Sequence, residues 1–177
     1  MRIRKIAIDR VRVFREIGIY RSIKYILTRP IVILRSVIMK ATHIYENIWV
    51  GSAEDANNFI GIKISVRGED VDQEPDGREA ISLLQMIYKG TDKEVKLLIN
   101  DLVNKIDNAN NKGATLVHCS AGIDRSPFAI MCWLVIKKGF NTGEAYGIIK
   151  GNRPFILEHY EWVDILRKKG IILRSIL

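Results

Sequence analysis

The 177-residue chain has only two cysteines, Cys119 and Cys132, and four prolines. Two thiols cannot build a disulfide framework, so stability has to come from an apolar core. The three histidines, His43, His118 and His159, are scattered, and no Cys/His spacing resembles a zinc site. No uncharged apolar run reaches the ~18 residues of a spanning helix. The longest candidate, residues 30–39, is broken by Arg35. The opening MRIRKIAIDRVRVF alternates charge with apolar residues and has no h-region. No secretory leader is therefore expected, and the cytoplasm is the default compartment. Internal repeats and low-complexity tracts are also missing.

Acidic residues are scarce in one region. Residues 1–40 hold eleven Lys/Arg against Asp9 and Glu16, a net +9. Residues 41–177 hold 17 Lys/Arg against 18 Asp/Glu, a net −1. The basicity belongs to an arm, and the expected division is an arm over 1–41 and a domain over 42–177. Ile3, Ile6, Val13, Ile17, Tyr20 and Leu27 fall at roughly helical spacing with a cationic opposite face, up to Pro30. Two readings stay open. The arm packs on the domain and shows its charges to water, or it lies on an anionic membrane as a peripheral amphipathic element. Nucleic acid is disfavoured, because aromatic interleaving is sparse.

What is present is a core-forming chain, 47% apolar. HIYENIWVGSAEDANNF predicts a strand, a turn at Gly51-Ser52 and a short helix. IGIKISVRG predicts a buried strand, and GEDVDQEPDGRE an acidic loop. AISLLQMIY is read as a strand. Thr91 or Asp92 caps a long helix through KEVKLLINDLVNKIDNANN, closed by Gly113. ATLVHC, apolar and β-branched, is a central strand. A helix from Ser126 to about Lys138 ends at Gly139, with Pro127 tolerated in its first turn. Two more follow, over NTGEAYGIIKGNRP from an Asn141/Thr142 cap and over LEHYEWVDILRKKG. Trp49, Trp133 and Trp162 read as core, Cys132 as a small buried apolar residue, and His159 as a surface or packing residue. Strands alternating with helices imply an α/β sheet flanked by helices.

The stretch VHCSAGIDRS carries the chemistry. A strand, a tight loop and a helix in that order aim backbone N–H groups and a helix dipole into the loop, which suits an anion. Ser120, Ala121 and Gly122 let the backbone curl. Arg125 offers a fork that matches two phosphate oxygens. Cys119, at the loop base in a positive field, is expected to ionise below the ordinary thiol value of about 8.5. A thiolate on the floor of such a cradle is a phosphoryl acceptor.

His118, Cys119, Arg125 and Ser126, as His-Cys-x5-Arg-Ser, resemble the signature loop of the cysteine-based protein tyrosine phosphatase superfamily. NIWVGSAEDANN is similar to the entry strand of its dual-specificity group, and GFNTGEAYGIIKGNRP to that group's helix after the signature helix. The resemblance covers about residues 44–166. Rhodanese-like and arsenate-reductase-like loops also use a Cys-to-Arg cradle, but the flanks favour the phosphatase group. The resemblance implies a central, mostly parallel sheet flanked by helices and a phosphomonoester hydrolase that uses neither metal nor cofactor. It implies that Cys119 is the nucleophile and forms a cysteinyl-phosphate, and that Arg125 binds phosphate and stabilises the transition state. Ser126 would help the thiolate leave, and His118 would orient the loop and help lower the thiol pKa. Ser120, Ala121, Gly122, Ile123 and Asp124 would lend backbone amides to the phosphate.

Two departures matter. The family places a general-acid Asp on a loop after the strand before the long helix, often as Ile-Pro-Ile-x-Asp. Here LLQMIYKGTDKEV stands at that place, and Asp92 is the nearest carboxylate, equally readable as a helix cap. Asp70, Asp72 and Asp76 on the acidic loop are further candidates. The second departure is Asp124 directly before Arg125, an Asp-Arg pair shared by myotubularin-type and Sac-type lipid phosphatases. The expected function is thus a dual-specificity protein phosphatase acting on phosphorylated protein. The alternatives are a phosphoinositide or phosphatidylglycerophosphate phosphatase at a membrane surface, and a weakly active phosphate-binding module.

Overall fold

The computed structural model describes residues 40–67, 79–80 and 83–171. The expectations for the arm, for the acidic loop at 68–78 and for the last six residues lie outside them. Among the described residues five strands form one sheet: β1 (Thr42–Tyr45), β2 (Ile48–Ser52), β3 (Ile62–Ser65), β4 (Glu79–Ala80) and β5 (Thr115–Cys119). Their spatial order is β1-β2-β5-β3-β4. Only the β1–β2 hairpin is antiparallel, and the other three pairings are parallel. β5 is central and buried along its whole length, as a β-branched apolar strand in a parallel sheet must be.

The described residues also form six helices: α1 (Ala53–Asn58), α2 (Leu83–Lys89), α3 (Asp92–Asn110), α4 (Arg125–Lys138), α5 (Thr142–Asn152) and α6 (Tyr160–Lys168). α4 is buried from Arg125 through Val135. A helix apolar on all sides belongs inside, and α3 and α5 pack along it. Gly139 takes the left-handed conformation, φ 81°, that stops it. The sequence sets three starts by capping boxes: Ser52 with Asp55, Thr91 with Glu94, and Asn141 with Glu144. Thr91, not Asp92, is therefore the cap of α3.

Strand alternation sorts the sheet residues by face. Val50, Ile64, Val117 and Cys119 join the main apolar core with Phe128, Trp133 and Ile106. Leu116 points to the other face, where its Cδ1 lies 3.0 Å from the position a Cβ on Gly51 would take.

Three expectations need correction. AISLLQMIY is not a strand: β4 ends at Ala80, and Leu83–Lys89 is helical. Leu83 and Ile87, four apart, are both fully buried, which is helical spacing rather than strand alternation. Gly51-Ser52 is not a turn but the end of β2; the chain reverses earlier, at Glu46, whose φ is 47°. Trp49 is only half-buried, edge-on to His43 and tilted against Phe59. Trp133 and Trp162 are core, and their indole N–H groups donate to Asp107 (3.0 Å) and the Tyr88 hydroxyl (2.9 Å).

Ile106 is fully buried on α3, so Ile106→Ala should cost ~2–5 kcal/mol in a urea unfolding titration. Asn141→Ala, which removes a cap oxygen at the surface, should cost only ~1 kcal/mol. Equal losses would contradict this division between core and cap.

Candidate active site

The parallel register brings three strand ends to one edge. Ser52 of β2 pairs with Cys119, and Ser65 of β3 with His118. The 120–124 loop leaves this edge and turns directly into α4. Gly122 makes the turn possible. Its φ is +70°, and a Cβ there would stand 2.6 Å from the Gly51 carbonyl carbon. Both the conformation and the contact with backbone exclude a side chain.

Cys119 is 2% exposed. Its Sγ accepts from the Gly122 N–H at 3.3 Å and from the Ser126 hydroxyl at 3.4 Å. Burial pushes the thiol up, but the Arg125 charge and the Ser126 hydrogen bonds outweigh it, and the net shift is downward. Asp124 works against them. The Arg125 guanidinium is braced at both ends. One Nη donates to the Arg67 carbonyl beyond β3 (2.8 Å) and the other to the Ser120 hydroxyl (2.8 Å). A cation so fixed can meet an anion without reorganising. By strand alternation the buried His118 ring lies on the face opposite Cys119.

The loop is also gripped from behind, by the segment between α5 and α6. The buried Arg153 donates its Nε to the Gly122 carbonyl at 2.9 Å and one Nη to the Lys40 carbonyl and the Thr42 hydroxyl. The Leu157 N–H donates to the Ile123 carbonyl at 2.9 Å. His159 Nε2 lies 3.3 Å from Asp124 Oδ1. Three consecutive loop residues are thus tied to one stretch of seven. His159 is therefore no surface residue. It is buried against α6, its ring stacked on Trp162 at 3.8 Å, with Nδ1 on Glu161 at 2.7 Å.

The structure brings Cys119, Ser120, Gly122, Arg125 and Ser126 into one cradle. Asp92 stands elsewhere in the hydrogen-bond pattern. It is the first residue of α3, 68% exposed at the side chain, with its carboxylate 3.2 Å from Lys169 Nζ. Because β4 ends at Ala80, the residues that follow the strand are Ile81, Ser82 and Leu83, none of them acidic. The sequence reading missed the Arg67 carbonyl, Arg153, His159 and Glu161. Only the Arg153-Pro154 pair carried a signal, through the family pattern, and nothing in it named Gly122 as its partner.

The comparisons agree with this geometry. Residues 48–171 match the family "Dual specificity phosphatase, catalytic domain". The chain is 34% identical over 68 residues to "Protein-tyrosine-phosphatase IBR5" of Arabidopsis thaliana, covering 38% of this chain and 26% of that protein. It is 35% identical over 77 residues to "Dual specificity protein phosphatase 5" of Homo sapiens, covering 42% and 20%. It thus spans about a quarter or less of these relatives' length. A leucine rich repeat and phosphatase domain containing protein from Entamoeba histolytica shares the fold at TM-score 0.56, with 18% identity over 77% of this chain and 92% of that one. The family match runs unbroken from the first parallel strand past the last helix, with the signature loop inside it, and the chain belongs to the dual-specificity phosphatase catalytic-domain family.

Proposed function

We propose that the protein is a protein phosphatase that hydrolyses phosphomonoesters through a cysteinyl-phosphate at Cys119. The observation that carries this reading is a buried thiol with two hydrogen-bond donors on its sulfur and a braced guanidinium in the same loop. The Cys119 thiolate attacks phosphorus, the ester P–O bond breaks, and the leaving oxygen takes a proton from a general acid. Arg125 and the amides of residues 120–124 hold the equatorial oxygens. Water then attacks phosphorus and gives a proton to the same group, now acting as a base, the P–S bond breaks, and the Ser126 hydroxyl stabilises the departing thiolate. Phosphorylated protein is the substrate class that the relatives' names support.

Cys119→Ser should lose turnover of para-nitrophenyl phosphate by at least ~10³-fold yet still bind vanadate, because the cradle survives. Arg125→Lys should lose ~10²–10³-fold, since a point charge cannot bridge the Arg67 carbonyl, Ser120 and two phosphate oxygens at once. EDTA should change nothing. Wild-type protein that binds vanadate but turns nothing over would instead be a phosphate-binding module.

Asp92 is proposed as the general acid on its place ahead of the long helix. An acid matters most for a poor leaving group. Asp92→Asn should therefore slow phosphoserine hydrolysis by ~10²-fold and para-nitrophenyl phosphate far less. If Asp124→Asn shows that pattern instead, the acid sits in the signature loop. If neither does, Asp70, Asp72 and Asp76 are next.

The +9 charge of residues 1–40 supports a second element, contact with an anionic membrane surface and so access to phospholipid substrates. No helix among the described residues is long and apolar enough to cross a membrane. Full-length protein should sediment with phosphatidylserine vesicles at low salt, and deletion of residues 1–39, which keeps the Lys40 carbonyl on Arg153, should abolish this while sparing para-nitrophenyl phosphate turnover. Binding unchanged by the deletion would remove the arm from the reading.

A further inference from the structure

An anion-binding loop that carries its own carboxylate is a contradiction unless something cancels the charge. Asp124 lies next to Arg125, is only 4% exposed, and opposes ionisation of Cys119. Its side chain does not cap α4. It faces His159 Nε2 at 3.3 Å.

We propose that His159, as an imidazolium, is a positioning residue of the phosphatase site: its pairing with Asp124 cancels the negative charge inside the signature loop and keeps the cradle fit for a thiolate and a phosphate. The inference rests on the phosphatase reading of the site.

The surroundings of the ring are built for a cation. Nε2 faces Asp124 from the loop, and Nδ1 faces Glu161 from the first turn of α6 at 2.7 Å. With a carboxylate on each nitrogen, both nitrogens must donate, which only the protonated ring can do. α5 contributes the Tyr146 hydroxyl, which accepts from the His159 backbone N–H at 3.0 Å and leaves the ring to the acids. The neighbouring Glu158 is turned to Lys150, 3.2 Å away. Burial pulls the imidazole down, but the hydrogen bonds and charges of Asp124 and Glu161 overcome it and raise its pKa to about 9. Stacking on Trp162 and the Leu157–Ile123 bond fix the ring and the loop in register.

A folded-state pKa raised to about 9 means that the pair is complete at neutral pH and is lost as pH rises through that value. Above it the Asp124 charge is no longer balanced by His159, and the cradle becomes less receptive to anions.

The test measures Cys119 directly, by the pH dependence of its alkylation with iodoacetamide, alongside inhibition of para-nitrophenyl phosphate turnover by inorganic phosphate. His159→Gln keeps a donor toward Asp124 and removes the charge. It should raise the thiol pKa by about one unit and weaken phosphate inhibition about tenfold. Asp124→Asn in the His159→Gln background should restore both, since the charge to be cancelled is then gone. A merely packing role for His159 predicts that the second substitution rescues nothing. A His159→Gln thiol that titrates like wild type, or a double variant that stays impaired, overturns the proposal. Alkylation needs no turnover, so a wild-type protein with the shift but without phosphatase activity would sink the phosphatase reading and leave the His159–Asp124 coupling standing.

Discussion

The Cys119 sulfur accepts hydrogen bonds from the Gly122 amide and the Ser126 hydroxyl while almost wholly removed from water. Burial alone would hold a thiol neutral. Arg125 and Ser126 work against that tendency, and Asp124 with it. β5 delivers the residue to the C-terminal edge of a parallel sheet, and α4 begins six residues later, so the helix start and the loop amides converge there. Arg125 adds a full charge, and its two Nη atoms donate to a β3-side carbonyl and a loop hydroxyl, which fixes the fork beside the sulfur.

The loop geometry is maintained from the other side of the chain. Arg153, Leu157 and His159 attach to Gly122, Ile123 and Asp124 in order. Arg153 also reaches the Lys40 carbonyl and the Thr42 hydroxyl, so β1's entry and the signature loop share one buried cation. These bonds act on main-chain carbonyls and on a carboxylate that would otherwise oppose the cradle's function. Removing any of the donors would strand a buried acceptor, a larger loss than the bond itself.

The β4 side of the sheet is built differently. β4 is two residues long, and α2 follows where a longer strand was read. Leu83 and Ile87 of α2 enter the core, and Trp162 of α6 reaches the Tyr88 hydroxyl. Packing demand, not strand propensity, decided this segment. After β4 the sequence offers no carboxylate until Asp92, the first residue of α3.

Local pattern sufficed wherever the physics is local. The cap regions at Thr91 and Asn141, the glycine stop of α4, the β-branched run of β5 and the spacing from Cys119 to Arg125 were legible because each depends on neighbours within one or two turns. The thiolate cradle was legible for the same reason: eight consecutive residues, Cys119 to Ser126, supply its sulfur, amides, guanidinium and hydroxyl. AISLLQMIY was not, since a short apolar run fits strand and helix alike until its partners are known. Nor was the role of His159, which lies 35 residues from Asp124 in sequence. By itself the sequence determined the thiol at the end of β5, the guanidinium six residues on and the strand and helix that frame them. Only the tertiary structure decided what stands behind the loop and balances Asp124, because charge pairing and burial depend on distance in space.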